Sequence, residues 1–127
     1  MRKILLIISS LLVLINLAFG QCTIEDGCTD VNPSGGFTSL TVVGTDVVCF
    51  TEDRSFVFGI TNLGGQINIC DGAEVSAFFG LQMNGGEINI YNGSLNAFVG
   101  IQNNGGSINT VGCLNFGQVT TGSGSDY

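Results

Sequence analysis

From about residue 56 the chain alternates short apolar stretches with breaks of glycine and asparagine, and it does so in a recurring order. In Gln66-Ile67-Asn68-Ile69 and Glu87-Ile88-Asn89-Ile90, polar and apolar residues alternate, the two-residue period of a half-buried strand. A second apolar stretch, Ala77 to Leu81 or Ala97 to Ile101, is rich in Phe and Val. Between them lie Asn-Gly-Gly, Asp-Gly and Asn-Gly. These are turn sequences, because Gly and Asn tolerate positive φ. Outside the first twenty residues no long window carries a helical period, so the expected elements are short strands and tight turns.

The pattern is a repeat. Residues 56–75 (FVFGITNLGGQINICDGAEV), 77–96 (AFFGLQMNGGEINIYNGSLN) and 97–116 (AFVGIQNNGGSINTVGCLNF) align without forcing. Gly59, Gly80 and Gly100 correspond. So do the pairs ending in Gly65, Gly86 and Gly106, and so do Ile67-Asn68, Ile88-Asn89 and Ile108-Asn109, at spacings of 21 and then 20 residues. A weaker copy upstream places Gly44 to Cys49 21 residues before Gly65 to Cys70. Downstream, Phe116-Gly117-Gln118-Val119 starts the unit once more. The repeat region therefore runs over 40–119.

Two all-β architectures fit such a unit. In a short parallel β-helix of about four coils, each unit is one coil and successive coils pair at about 4.8 Å. In an antiparallel meander or sandwich, the Asn-Gly turns close hairpins. The β-helix is the expectation, because only coil stacking requires like residues at like positions. It makes Ile67, Ile88 and Ile108 one inward column and Asn68, Asn89 and Asn109 an amide ladder, with Gly65, Gly86 and Gly106 at the corners.

The ends set the compartment. Arg2 and Lys3 precede an apolar run over 4–19, and Ala18-Phe19-Gly20 is a small-x-small cleavage site. The run is shorter than the roughly 20 residues that span a bilayer, so 1–20 is expected to be a cleaved signal peptide and the protein secreted or surface-exposed. Gln21 before Cys22 does not suit a lipidation signal, which wants a small residue there. The remainder divides into an irregular cap over 21–39, the repeat domain over 40–119 and a polar tail over 120–127. Cleavage removes two of the three basic residues. One cation, Arg54, then stands against ten acids, with no His. Nucleic-acid binding, which rests on Lys and Arg neutralising phosphates, is excluded, as is attraction to an anionic membrane. No stable membrane span remains.

All five cysteines lie beyond the signal. In an exported chain they are expected to pair, with one left over. Cys49 and Cys70 are 21 residues apart and would stack as neighbours, within disulfide reach. Cys22 with Cys28 would close an N-terminal loop, and Cys113 falls off the column. Without CxxC or His, structural zinc is not expected.

Candidate chemistry is sparse. Glu52 and Asp53 beside Arg54 could serve as a carboxylate pair for acid/base work; a solvated turn with a local ion pair explains them more simply. Glu25-Asp26-Gly27-Cys28-Thr29-Asp30 is the densest acidic cluster and reads as a loop. The acids form no calcium column, since Gln66, Glu87 and Ser107 are equivalents. No cofactor is implied. Phe78, Phe79, Phe98 and Tyr91 could form an aromatic sugar platform, although core or turn packing also accounts for them. Asn92-Gly93-Ser94 matches an N-glycosylation acceptor.

The stretch from Val48 to Phe116, with its GGxINI and NGS steps behind an exported, cysteine-bearing start, resembles repeat regions of secreted or surface proteins of Bacteroidetes-type bacteria. That resemblance implies a β-helix-like region of an adhesin-like protein. Such regions are usually followed by a C-terminal sorting domain. This chain ends at Gly124-Ser125-Asp126-Tyr127, so it is expected to be either a free-standing short protein or a piece of a larger one. The leading functional expectation is a non-enzymatic structural or interaction module whose partner is a surface glycan or a protein. The alternatives are a carbohydrate-binding or polysaccharide-degrading β-helix and an ice-binding face. The column assignment carries its own test. Ile88→Asp should destabilise the fold by several kcal/mol in thermal denaturation, because an unpaired charge would enter the core; an unchanged melting temperature would refute it.

Overall fold

The structure is a computed structural model and describes residues 27–110, 113–116 and 119–121. It is a short parallel β-helix. Its strands are β1 (Asp30–Val31), β2 (Leu40–Val42), β3 (Val47–Phe50), β4 (Arg54–Phe56), β5 (Ile60–Asn62), β6 (Gln66–Ile69), β7 (Ala73–Ala77), β8 (Leu81–Met83), β9 (Glu87–Ile90), β10 (Gly93–Ala97), β11 (Ile101–Asn103), β12 (Ser107–Thr110), β13 (Cys113–Phe116) and β14 (Val119–Thr121). They form three sheets, β1-β3-β6-β9-β12, β13-β10-β7-β4 and β14-β11-β8-β5-β2. Every pairing is parallel. We call them the first, second and third sheets, in the order the chain visits them within each coil.

Registration follows the repeat. Ile67 pairs with Ile88 and Ile88 with Ile108, and all three are buried. Val48 continues that column upward, and Phe50, Ile69 and Ile90 form a second one. The same core takes Phe56, Ala77 and Ala97 from the second sheet and Ile60, Leu81 and Ile101 from the third. Burying a side chain of this size contributes about 1.5–3 kcal/mol, so the columns drive coil-on-coil stacking.

The amides flanking Ile67, Ile88 and Ile108 are linked along the axis. Asn89 Nδ2 donates to Asn68 Oδ1 at 3.1 Å, and Asn109 Nδ2 donates to Asn89 Oδ1 at 3.0 Å. By alternation they lie on the outer side of the first sheet. The Gln66 side chain closes over them by donating to Asn68. A second, fully buried set sits at the corner between the third and first sheets. Asn62 Oδ1 accepts from the backbone N–H groups of Gly64 and Gly65 while its Nδ2 donates to Gly65 O. Asn103 does the same with Gly105 and Gly106. Met83 occupies the equivalent place between them. Each such bond is worth about 0.5–1.5 kcal/mol net and prevents a larger penalty for an unpaired buried amide. No buried side-chain polar atom among the described residues lacks a partner.

Three sequence expectations need correction. First, the apolar stretch Ala77 to Leu81 is divided between two strands and a corner. Ala77 ends β7, Phe78-Phe79-Gly80 turns a corner at Gly80 (φ 99°), and Leu81 begins β8. Second, the upstream copy is two residues out of register: Val47 pairs with Gln66, a spacing of 19. The 21-residue alignment would set Phe50 over Asp71 at a turn. The observed register sets it over Ile69, where it is fully buried. Third, Cys49 therefore stacks on Asn68 and not on Cys70. Cys49 is bonded to Cys28 instead, with an S–S distance of 2.01 Å and a Cα–Cα distance of 5.9 Å. That bond also replaces the expected Cys22–Cys28 pair. Cys70 is disulfide-bonded as well. Cys22 and the Cys113 side chain lie outside the described residues.

Two stability predictions follow from stacking. At Gly86 (φ 76°) an added Cβ would run into the Gly65 carbonyl and the Gly64 backbone of the coil above. Gly86→Ala should therefore cost about 2–4 kcal/mol. Gly44 faces open space, and Gly44→Ala should stay within ~0.5 kcal/mol. Equal denaturation midpoints for the two would contradict the register. The Cys28–Cys49 bond closes a loop across 21 positions. Replacing both with Ala should remove about 3 kcal/mol, read from denaturant unfolding.

Candidate functional site: an uncharged groove beside an aromatic ridge

Where the second sheet turns into the third, each coil carries two residues between the end of one strand and a corner glycine: Val57-Phe58, Phe78-Phe79 and Phe98-Val99. Strand alternation would bury one of each pair. The corner instead turns both away from the core. Phe58, Phe78, Phe79, Phe98 and Val99 are 51–60% exposed. They pack on one another along the axis. Phe58 and Phe79 stack with ring centroids 6.1 Å apart and planes 8° from parallel. Phe78 meets Phe79 edge-on at 5.6 Å and Phe98 at 5.7 Å. Each pair contributes about 0.5–1.5 kcal/mol, so the ridge is held in place although half of it faces water.

Beside the ridge lies a groove of about 290 Å³. Phe58, Phe79 and Val99 form one wall. The far side is the outward column Thr61, Gln82 and Gln102, which the third sheet holds in register. The floor between them is glycine backbone at Gly80 and Gly100. A Cβ at Gly80 would stand 2.7 Å from the Gly100 carbonyl, so the glycine column keeps both the coil spacing and the depth of the groove.

The surroundings are electrically neutral. The segments 37–43, 57–63, 78–84 and 98–104 build this corner and the third sheet, and they contain no Asp, Glu, Lys or Arg. The described acids all lie elsewhere: Asp30, Asp46 and Glu87 by the first sheet, Asp71 at the following corner, and Glu52, Asp53 and Glu74 by the second sheet. The amides of the groove also differ from the others. Asn68, Asn89 and Asn109 are bonded into a ladder, and Asn104 Nδ2 donates to Asn84 Oδ1 at 3.0 Å. The side chains of Thr61, Gln82 and Gln102 make no such bond among the described residues; Thr61 is half-buried and the two glutamines are exposed.

The other candidates from the sequence are placed as follows. Arg54 lies in register with Val75, a core position, at the edge of the second sheet. Its guanidinium turns outward and donates to the carbonyl oxygens of Pro33, Asn32 and Asp53. It also pairs with Glu52 at 3.0 Å. Asp53 Oδ1 accepts from the Glu74 N–H at 2.8 Å. The trio closes an end of the stack, and its groups are committed to that. Tyr91 follows the first sheet and sits at a different corner from Phe78, Phe79 and Phe98, so these four do not form one platform. Asn92 is exposed in a turn. A second groove, at the corner carrying Asp46 and Glu87, holds acids already in use: Asp46 accepts from Val43 N, and Glu87 from Asn109. Among the described residues, no three His, Cys, Asp or Glu side chains gather to hold a metal ion. Glu25 and Asp26 of the acidic loop lie outside the described residues.

The ridge had a sequence signal, the Phe/Val pair before each corner glycine. The Thr–Gln–Gln column follows from the aligned glycines Gly59, Gly80 and Gly100, but the sequence held no signal that it lines a groove. No known protein-family model, curated protein or solved structure matches the chain. Disulfides persist in oxidising compartments, and the bonds at Cys28–Cys49 and Cys70 fit such a setting. Among the described residues no helix is long and apolar enough to cross a membrane.

Proposed function

We propose that this chain is a secreted or cell-surface interaction protein, adhesin-like and without catalytic activity, which presents the ridge and its groove to a partner. The observation that carries this reading is the ridge itself. Four phenylalanines stand half exposed on a rigid, disulfide-tied scaffold, in a chain of formal net charge −7. Exposed aromatic clusters mark contact sites, and Phe side chains bring large contact area at little entropic cost. The signal-like N-terminus supports export. The resemblance of the repeat to bacterial surface proteins supports adhesion, as one part of a larger protein or alone. The residues that could have served acid/base chemistry, Glu52, Asp53 and Arg54, are bound to one another and to backbone at one end of the stack.

The test uses the exported chain on protein and glycan arrays, alongside Phe58→Ser/Phe79→Ser/Phe98→Ser and a reducing-sugar assay. The wild type should bind at least one class of ligand. The triple variant should lose about tenfold or more in affinity while its far-UV spectrum is unchanged. No reducing ends should appear. Binding that ignores the ridge, no binding at all, or release of reducing ends would each overturn the reading.

A further inference from the structure

We infer that the groove beside the ridge takes an uncharged polysaccharide lying along the axis of the β-helix. This rests on the interaction reading above and names the ligand class of that site. Three observations carry it. The first is the absence of charge. The third sheet and its corner are neutral from coil to coil, while acids crowd the other faces. An anionic polymer would meet a protein of formal net charge −7 with no cation at the groove, and a cationic one would be drawn to the acidic faces instead.

The second is the state of the amides. Gln82 and Gln102 are exposed and unpaired among the described residues, whereas neighbouring outward asparagines are bonded in ladders. Each glutamine offers an acceptor oxygen and a donor NH₂, and Thr61 adds a hydroxyl. Sugar hydroxyls are themselves both donors and acceptors, so an amide of this kind can pair with two adjacent ones.

The third is periodicity. Thr61, Gln82 and Gln102 stand one above another at the coil spacing of about 4.8 Å. A chain of pyranose rings advances by a comparable step per ring, so each ring along the chain can reach one member of the column. The two walls also match the two sides of a sugar ring. The apolar Phe58–Phe79–Val99 wall faces its C–H surface, and the amide column faces its hydroxyl edge. The ridge phenylalanines are engaged with one another on one side and leave about half of each side chain exposed. They therefore act as a wall beside the sugar, with the hydrogen bonds to the column setting its position.

Native gels cast with hydroxyethyl cellulose, galactomannan, laminarin or polygalacturonate, and sedimentation with insoluble cellulose and chitin, test this on the exported chain. At least one neutral polysaccharide should retain the wild type, and polygalacturonate should not. Gln82→Ala/Gln102→Ala should weaken retention by about tenfold or more. Ser76→Ala, on the second sheet, should leave it unchanged. Retention that survives the double substitution would overturn the assignment to this groove. If no neutral polysaccharide is retained but ridge-dependent binding to a protein on the array persists, the polysaccharide is wrong and the interaction reading stands. If neither is seen, both fail.

Discussion

Each described coil of this protein is held against its neighbour by parallel strand pairing at about 4.8 Å, and every side chain must be compatible with the one a coil away. That constraint selects the residues. An inward position can hold Ile over Ile over Ile, because aliphatic side chains in one rotamer nest along the axis. An outward asparagine can stand over another only by donating to it, as Asn89 does to Asn68. A corner where backbones nearly touch admits glycine, as at Gly86 under Gly65. Like charges in register would repel with little lysine or arginine to relieve them. Glu87 accordingly stands between Gln66 and Ser107, and it accepts a hydrogen bond from Asn109.

The same constraint explains what could be read from the sequence. Columns are equalities between residues, and equalities are visible without coordinates. Ile67, Ile88 and Ile108 could be placed together for that reason, and so could the asparagines after them. Corners are different. A strand's alternation rule fails where the chain turns, so it could not decide between core packing, turn packing and an exposed platform for Phe78 and Phe79; both rings face solvent. Gly80 was the cue, since its positive φ ends the extended run. The upstream register failed for a related reason. A slip of two residues preserves the inward and outward faces, so hydrophobic pattern alone cannot detect it. What separates the two registers is whether Phe50 lands on Ile69 or on a turn. Cys49 moved with that slip, and its bond to Cys28 ties the segment before the first full coil to the stack.

The groove was not legible for a third reason. Thr61, Gln82 and Gln102 share one position of the repeat, two residues after Gly59, Gly80 and Gly100, but a shared outward position does not by itself mark a site. Their equivalence is positional, and their significance is relative. They matter because the asparagines of the two ladders are bonded along the axis and, among the described residues, these are not. Asn and Gln differ here by one methylene. The shorter Asn side chain stays close to the strand, where it reaches the amide a coil away or the backbone of its own turn, as Asn62 and Asn103 do. The longer Gln side chain projects from the sheet, and Gln82 and Gln102, although in register, make no side-chain hydrogen bond among the described residues.

A surface built this way is preorganised. Strand pairing fixes the spacing of the column, and interlocked rings hold the opposite wall. The floor is backbone that already makes its own hydrogen bonds. A ligand that binds here need not order a loop first, and only the two glutamine side chains lose rotamer freedom. Each immobilised side chain of that kind costs about 0.5–1.5 kcal/mol, which is comparable to what one hydrogen bond returns. A single sugar ring would therefore gain little. A chain that repeats the same contact at successive coils adds to the gain while the loss of overall freedom is incurred once. The short stack thus favours a ligand that is itself a repeat, and the number of stacked coils, more than any one residue, sets how strongly such a ligand can be held.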